Sequence, residues 1–223
     1  TGGQPAPDTA VTESWNGTAW TEVGDLNTGR WGAAHFGTTT ASLNCAGINN
    51  GSELAVVEQW NGSAWTETAD INTARQDLTG SGITTNGLIF SGREPSNSAK
   101  TETWDGTSWS EVGDLGTARA YTGGGGGASS GSAAICTGGN PSGTAVEEWS
   151  FSSTLAAGSW ASGGNMNAPG TNAAGASNGT PITKMCDLYD NYPYIEWGIQ
   201  TPHFGGGLFP DVGWVKELTS TNL

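Results

Sequence analysis

The sequence predicts an all-β fold made of repeated four-stranded units, about four in the chain, stacked about a common axis. Three observations carry the prediction. Glycine (37 residues) and tryptophan (11) are abundant, while charged residues make up only 13% of the 223 positions. That is a composition of short strands and tight turns around large apolar side chains. Three segments align without a gap: Glu13 to Arg30 (ESWNGTAWTEVGDLNTGR), Glu58 to Arg75 (EQWNGSAWTETADINTAR) and Glu102 to Arg119 (ETWDGTSWSEVGDLGTAR). Their first tryptophans, Trp15, Trp60 and Trp104, are 45 and 44 residues apart, and Trp149, 45 further on, opens a degenerate fourth copy with Trp160 as its second tryptophan. A period of this size marks an array whose units bury their faces only against one another.

Each unit reads as the same succession of elements. The Glu-x-Trp stretch alternates, which predicts a strand with Glu and Trp on one face. Asn16-Gly17, Asn61-Gly62 or Asp105-Gly106 follows and predicts a two-residue type I′ hairpin. The return strand begins near Trp20, Trp65 and Trp109, so each hairpin carries one tryptophan on each arm. After the arginine comes a glycine-rich strand: AAHFGTTT, DLTGSGITT or YTGGGGGASS. Its glycines predict close backbone approach at a crowded inner position. A short apolar strand closes the unit, over Leu43 to Gly47, Leu88 to Gly92 and Ala134 to Gly139. Cys45 and Cys136 share a repeat position with Phe90, which predicts a buried apolar site. Three cysteines make no disulfide framework, and no spacing resembles a zinc site.

Four antiparallel strands in about 45 residues is the blade length of a β-propeller. The termini read as two halves of one blade. Val11 to Val23 is an outer hairpin without inner strands, while Asn165 to Asp187 resembles an inner pair without an outer hairpin. Residues 1–187 thus form the repeat region. Residues 188–223 lose the repeat and gather Tyr189, Tyr192, Tyr194, Trp197, Phe204, Phe209 and Trp214. They are expected to cap the last blade or dock another subunit.

The order Gly-Gly, aromatic, Trp, Arg resembles the kelch repeat. It is seen at Gly138-Gly139 with Trp149 and Trp160, and at Gly92 with Trp104, Trp109 and Arg119. The pattern departs from the family in having Trp rather than Tyr first, with a spacing of five to the second aromatic. The Gly pair is intact only at Gly2-Gly3 and Gly138-Gly139. The fuller wording, Glu-x-Trp-Asn-Gly-x-x-Trp-x-Glu-x-x-Asp-Leu-x-Thr-Ala-Arg, resembles kelch-like repeats in virion proteins of marine bacteriophages, cyanophages especially. The resemblance implies a kelch-like β-propeller acting as a non-enzymatic structural or host-attachment component at the virion surface: a fibre, tail or capsid-surface protein. Its implied partners are other virion proteins, further copies of itself, and a host-surface glycan or protein. A secreted or surface lectin-like propeller is the first alternative, and a propeller-based enzyme the second.

The formal net charge is −14, from 7 Lys and Arg against 21 Asp and Glu. Such acidity repels phosphate backbones and anionic lipid, so nucleic-acid partners are not expected. No apolar run reaches the ~18 residues a membrane-spanning helix needs, so membrane insertion is not expected either. Asn16, Asn50, Asn61 and Asn178 match the glycosylation sequon, which hairpin chemistry already explains at Asn16 and Asn61.

A residue that recurs in every unit reads as architecture. That applies to Trp15, Trp20, Trp60, Trp65, Trp104, Trp109, Trp149 and Trp160, expected in the core, and to Arg30, Arg75 and Arg119. The five donors of an arginine suit backbone carbonyls and a carboxylate between units. Binding residues are sought where the repeat breaks: Trp31, His35, Tyr192, Tyr194, Trp197, Phe204, Phe209 and Trp214. His35 and His203 are the only histidines, and no Gly-x-Ser-x-Gly elbow is present. No catalytic residue, metal ligand or cofactor is therefore expected.

Overall fold

The computed structural model describes residues 8–126, 131–152 and 157–166, which all fall in one compact unit spanning Thr1–Thr183. The inner pair read over residues 165–187 lies almost wholly outside the described residues. So does the aromatic segment 188–223, with Tyr192, Tyr194, Trp197, Phe204, Phe209 and Trp214.

The described residues contain no helix and form four antiparallel sheets. The first has two strands, β1 (Glu13–Trp15) and β2 (Trp20–Glu22). The second has β3 (Ala34–Gly37), β4 (Ser42–Asn49), β5 (Ser52–Trp60) and β6 (Trp65–Thr68). The third has β7 (Thr79–Ile83), β8 (Asn86–Phe90), β9 (Thr101–Trp104) and β10 (Trp109–Glu111). The fourth has β11 (Gly123–Gly126), β12 (Ala133–Thr137), β13 (Val146–Ser152) and β14 (Ala157–Ser162). Every sheet is a meander in chain order. The first is a lone outer hairpin, and the edge of β1 that would meet an inner strand is unpaired among the described residues.

The tryptophan hairpins turn differently from the two-residue form expected. Trp15 pairs with Trp20, Trp60 with Trp65 and Trp104 with Trp109, leaving four-residue loops. Only the glycine takes positive φ, at 96° for Gly17 and 97° for Gly62 and Gly106. The preceding side chain does the rest. Asn16 Oδ1 accepts from the amides of Thr18 and Ala19, both at 2.9 Å, and Asn61 and Asp105 repeat the contact. This side-chain turn mimics a backbone turn and spares the Asn a left-handed conformation. The two-residue Asn-Gly turn occurs elsewhere, at Asn50-Gly51, with φ of 48° and 80° between paired Asn49 and Ser52.

The glycine-rich strands line up at the inner edges, β3 packing on β7 and β7 on β11. A Cβ on Gly80 would stand 2.6 Å from Phe36 Cδ1, and one on Gly124 would stand 3.1 Å from Phe90 Cζ. The missing side chain is what admits the neighbour's aromatic ring.

The core lies between successive sheets rather than within one. Leu26, from the connection after β2, packs on Trp60 and Trp65. Ile71, one repeat on, joins Trp104 and Trp109, and Leu115 joins Trp149 with Trp160 against its edge. Each unit thus offers an apolar plug that covers the tryptophan pair of the next. Cys45, Phe90 and Cys136 are all fully buried in these interfaces.

Candidate functional site

The repeated arginines bind units together. Arg30, Arg75 and Arg119 lie buried in the connections between sheets and pair with Glu58, Glu102 and Glu147, each on the third strand of the following sheet. Arg75 Nη1 is 2.5 Å from Glu102 Oε1, and Arg119 Nη2 is 2.6 Å from Glu147 Oε1. Further donors go to carbonyls: Val56 O for Arg30, Ser91 O and Thr73 O for Arg75, and Ala145 O for Arg119. The glutamates also accept backbone N–H groups of Asn27, Asn72 and Gly116, each at 2.7 Å. Burial pulls Arg30 below its ordinary pKa, and the charge of Glu58 opposes the fall. A buried pair so enclosed specifies a neighbour and a register more than it adds stability.

The tryptophans follow an equally regular scheme. The first of each pair donates its indole N–H to the inner turn of its own sheet: Trp60 to Thr39 O, Trp104 to Thr84 O and Trp149 to Gly131 O. The second donates one sheet back: Trp65 to Thr12 Oγ1, Trp109 to Ala69 O and Trp160 to Thr101 Oγ1. Trp15 and Trp20 depart from the expectation of burial. They are 47% and 64% exposed, and neither finds such an acceptor among the described residues. The physical reason is their place in the array. Among the described residues, the first sheet has no inner turn of its own to receive Trp15 and no other unit covers Trp20.

The two repeat-breaking candidates sit on different surfaces. Trp31 is half-buried, and its backbone bridges to Ile48. Gln76 with Arg93, and Ala120 with Asn140, make the same bridge in the next two units. His35 stands on β3 where Gly80 and Gly124 stand on β7 and β11. Those glycines face the preceding inner strand; among the described residues none precedes β3, and His35 is exposed there, with its ring edge-on to Trp65 at 5.9 Å. Desolvation by the protein around the ring lowers its pKa to about 4, leaving it neutral at pH 7.

Beside Trp31 the structure assembles a polar cluster that sequence reasoning missed. Gly32, Asp77 and Tyr121 each follow the bridging residue, and all three have positive φ, at 65°, 57° and 56°. Their backbones run in series, Asp77 N donating to Gly32 O at 2.7 Å and Tyr121 N to Asp77 O at 3.2 Å. Arg93 Nη1 donates to Tyr121 Oη at 2.6 Å and lies 3.8 Å from Asp77 Oδ2. The Asp77 side chain is only 6% exposed, yet Oδ2 has no hydrogen-bond partner, and neither has the adjacent Gln76 Oε1. Burial raises the Asp77 pKa, while Tyr121 and Arg93 oppose the rise. A buried acceptor left open beside a guanidinium and a phenol is suited to a hydroxyl-rich ligand. The signal in the sequence was faint: two residues after each repeated arginine the residue changes from Gly to Asp to Tyr.

Among the described residues, no three His, Cys, Asp or Glu side chains gather closely enough to hold a metal ion, and no helix is long and apolar enough to cross a membrane. Burial pushes the Cys136 thiol up to about 11 and Cys45 further still, so neither is a ready nucleophile.

Fold and site together define a class: an all-β protein of antiparallel sheets stacked in chain order, clasped by buried Arg–Glu pairs. No family model matches the sequence, and no curated protein does. Among solved structures, that of YjhT is similar, with a TM-score of 0.62 over 78% of this chain and 68% of that one, at 9% identity. At that identity the likeness concerns the fold alone. In all, 135 solved chains match, and a fold shared so widely carries no function by itself.

Proposed function

We propose that the chain is a kelch-like β-propeller segment serving as a non-enzymatic structural or host-attachment component of a bacteriophage virion, at the particle surface in a fibre, tail or capsid. The propeller reading is supported by three four-stranded sheets whose inner strands β3, β7 and β11 stack in order. The role is supported by one observation above the others: the residues repeated in every unit are spent on joining units. Beyond the first hairpin, the arginines, glutamates and tryptophans pack against a neighbouring sheet, the arrangement of a part built to be packed among parts. The wording of the repeats, with its likeness to cyanophage virion proteins, supplies the setting. Mass spectrometry of gradient-purified particles tests it. The chain is expected at fixed stoichiometry with known capsid or tail proteins, and its recovery only as free protein overturns the role.

The lectin-like alternative draws on the open acceptor at Asp77 with Arg93 and Tyr121. A glycan array with the unaltered chain and with Asp77→Asn tests it. Binding that the substitution abolishes favours that reading, and an empty array disposes of it.

A further inference from the structure

We propose that the exposed Trp15/Trp20 face is the docking surface for the far end of a second copy of this chain, with Met166 of that copy seated on the tryptophan pair.

The molecule supplies its own template for this contact three times. The four tryptophan pairs are built alike, with ring centroids 5.4, 5.3, 5.1 and 5.6 Å apart for Trp15–Trp20, Trp60–Trp65, Trp104–Trp109 and Trp149–Trp160. Leu26, Ile71 and Leu115 cover the last three. Each of these plugs is fixed by one backbone bond, its N–H donating to Ala10 O, Ala55 O or Ala99 O at 3.0, 3.0 and 2.9 Å. Met166 makes the same bond, donating to Thr144 O at 2.9 Å. It is therefore the fourth plug. Its flexible thioether side chain suits an aromatic pocket.

Among the described residues, one plug without a tryptophan pair and one tryptophan pair without a plug stand at opposite ends of the array. They do not satisfy each other within it, since Trp15 and Trp20 stay 47% and 64% exposed. The uncovered surface continues past the pair to Val11, 39% exposed. A plug and a socket on different surfaces make a heterologous, head-to-tail contact. It closes into a ring of two copies or runs on as a longer array.

This junction differs from the internal ones in charge. An arginine stands ten residues after Trp20, Trp65 and Trp109, but Gly170 stands ten after Trp160. Among the described residues no buried Arg–Glu pair clasps Glu13, so apolar contact carries the association. Two copies of net charge −14 also repel. Salt screens the repulsion and has no ion pair to weaken, so association is expected to tighten as salt rises.

Sedimentation velocity on the full chain tests the contact. The unaltered chain is expected to associate. Trp20→Glu and Met166→Glu are each expected to weaken association by at least about 30-fold, the loss of one central aromatic contact. Mixing the two variants restores a one-to-one pair, because one intact plug meets one intact socket. A monomeric unaltered chain overturns the proposal, whether the face is then covered by the chain's own later residues or by another protein. Failure of the mixed variants to pair overturns it too. If Trp20→Glu does not fold, dilution of the unaltered chain decides. Its tryptophan emission is expected to shift to the red as the pair separates, and an unmoved spectrum refutes the contact.

Discussion

Arg75 reaches across the boundary between two sheets to Glu102, with Nη1 2.5 Å from Oε1 and neither side chain more than 1% exposed. Removing the cation leaves a buried carboxylate facing only the Asn72 donors. Arg75→Ala is expected to cost ~3–5 kcal/mol, read as a lower urea midpoint. Arg75→Lys recovers little of it, because an ammonium cannot reach the carboxylate, Ser91 O and Thr73 O with one planar fork. Unchanged midpoints would show that the clasp is ornamental.

Gly80 and Phe36 make the corresponding steric test. A methyl group at Gly80 would stand 2.6 Å from the Phe36 ring and 3.2 Å from Ala34 Cβ. Gly80→Ala is expected to destabilise by ~1–3 kcal/mol through overpacking. Adding Phe36→Leu should return part of the loss, giving a non-additive double-mutant cycle in thermal unfolding. Additive effects would mean that the two strands do not touch as described.

Asp77 gives a pH signature. Its pKa is raised by burial, with Tyr121 and Arg93 opposing. A carboxyl whose native pKa lies above the unfolded value, about 3.9, contributes stability that is full below that value. The contribution is lost as pH rises through the native pKa. Asp77→Asn removes this dependence. The variant is expected to be more stable than the unaltered chain at neutral pH, with the advantage closing in acid. Urea unfolding at pH 3 and pH 7 measures the gap, and a gap that widens in acid contradicts the assigned environment.

Cys45 and Cys136 are fully buried, and desolvation raises both thiols. Their peptides should stay unlabelled by iodoacetamide at pH 8 in the native protein and label fully in denaturant. Labelling under native conditions would show that the inter-sheet cores open readily.

Much of the fold was legible in local pattern. The alternation around Trp60 and Trp104, the glycine-rich strands and the Cys45/Phe90/Cys136 position all appear where the repeat placed them. These are short-range properties: side-chain periodicity, turn chemistry and tolerance of an apolar group. The hairpin form is not fixed by the dipeptide, because Asn-Gly has two solutions. Positive φ at both residues suits Asn50-Gly51, whereas a side-chain turn suits Asn16, Asn61 and Asp105. The Asp77–Arg93–Tyr121 cluster was hidden because its members come from two units and resemble nothing in the repeat.

The sequence by itself determined the unit: its strands, its length, and which residues recur. Recurrence marks Arg30, Arg75 and Arg119 as architectural, because the same residue in every copy answers a demand that every copy makes. Only the tertiary structure decided what each recurring residue faces. Arg30 binds the glutamate of the following unit, and Leu26 covers the tryptophans of the following unit. The same rule that buries Trp60 and Trp65 therefore exposes Trp15 and Trp20. A tryptophan in a repeat is buried by its neighbour and not by its own sequence, and among the described residues no unit covers the pair of the first.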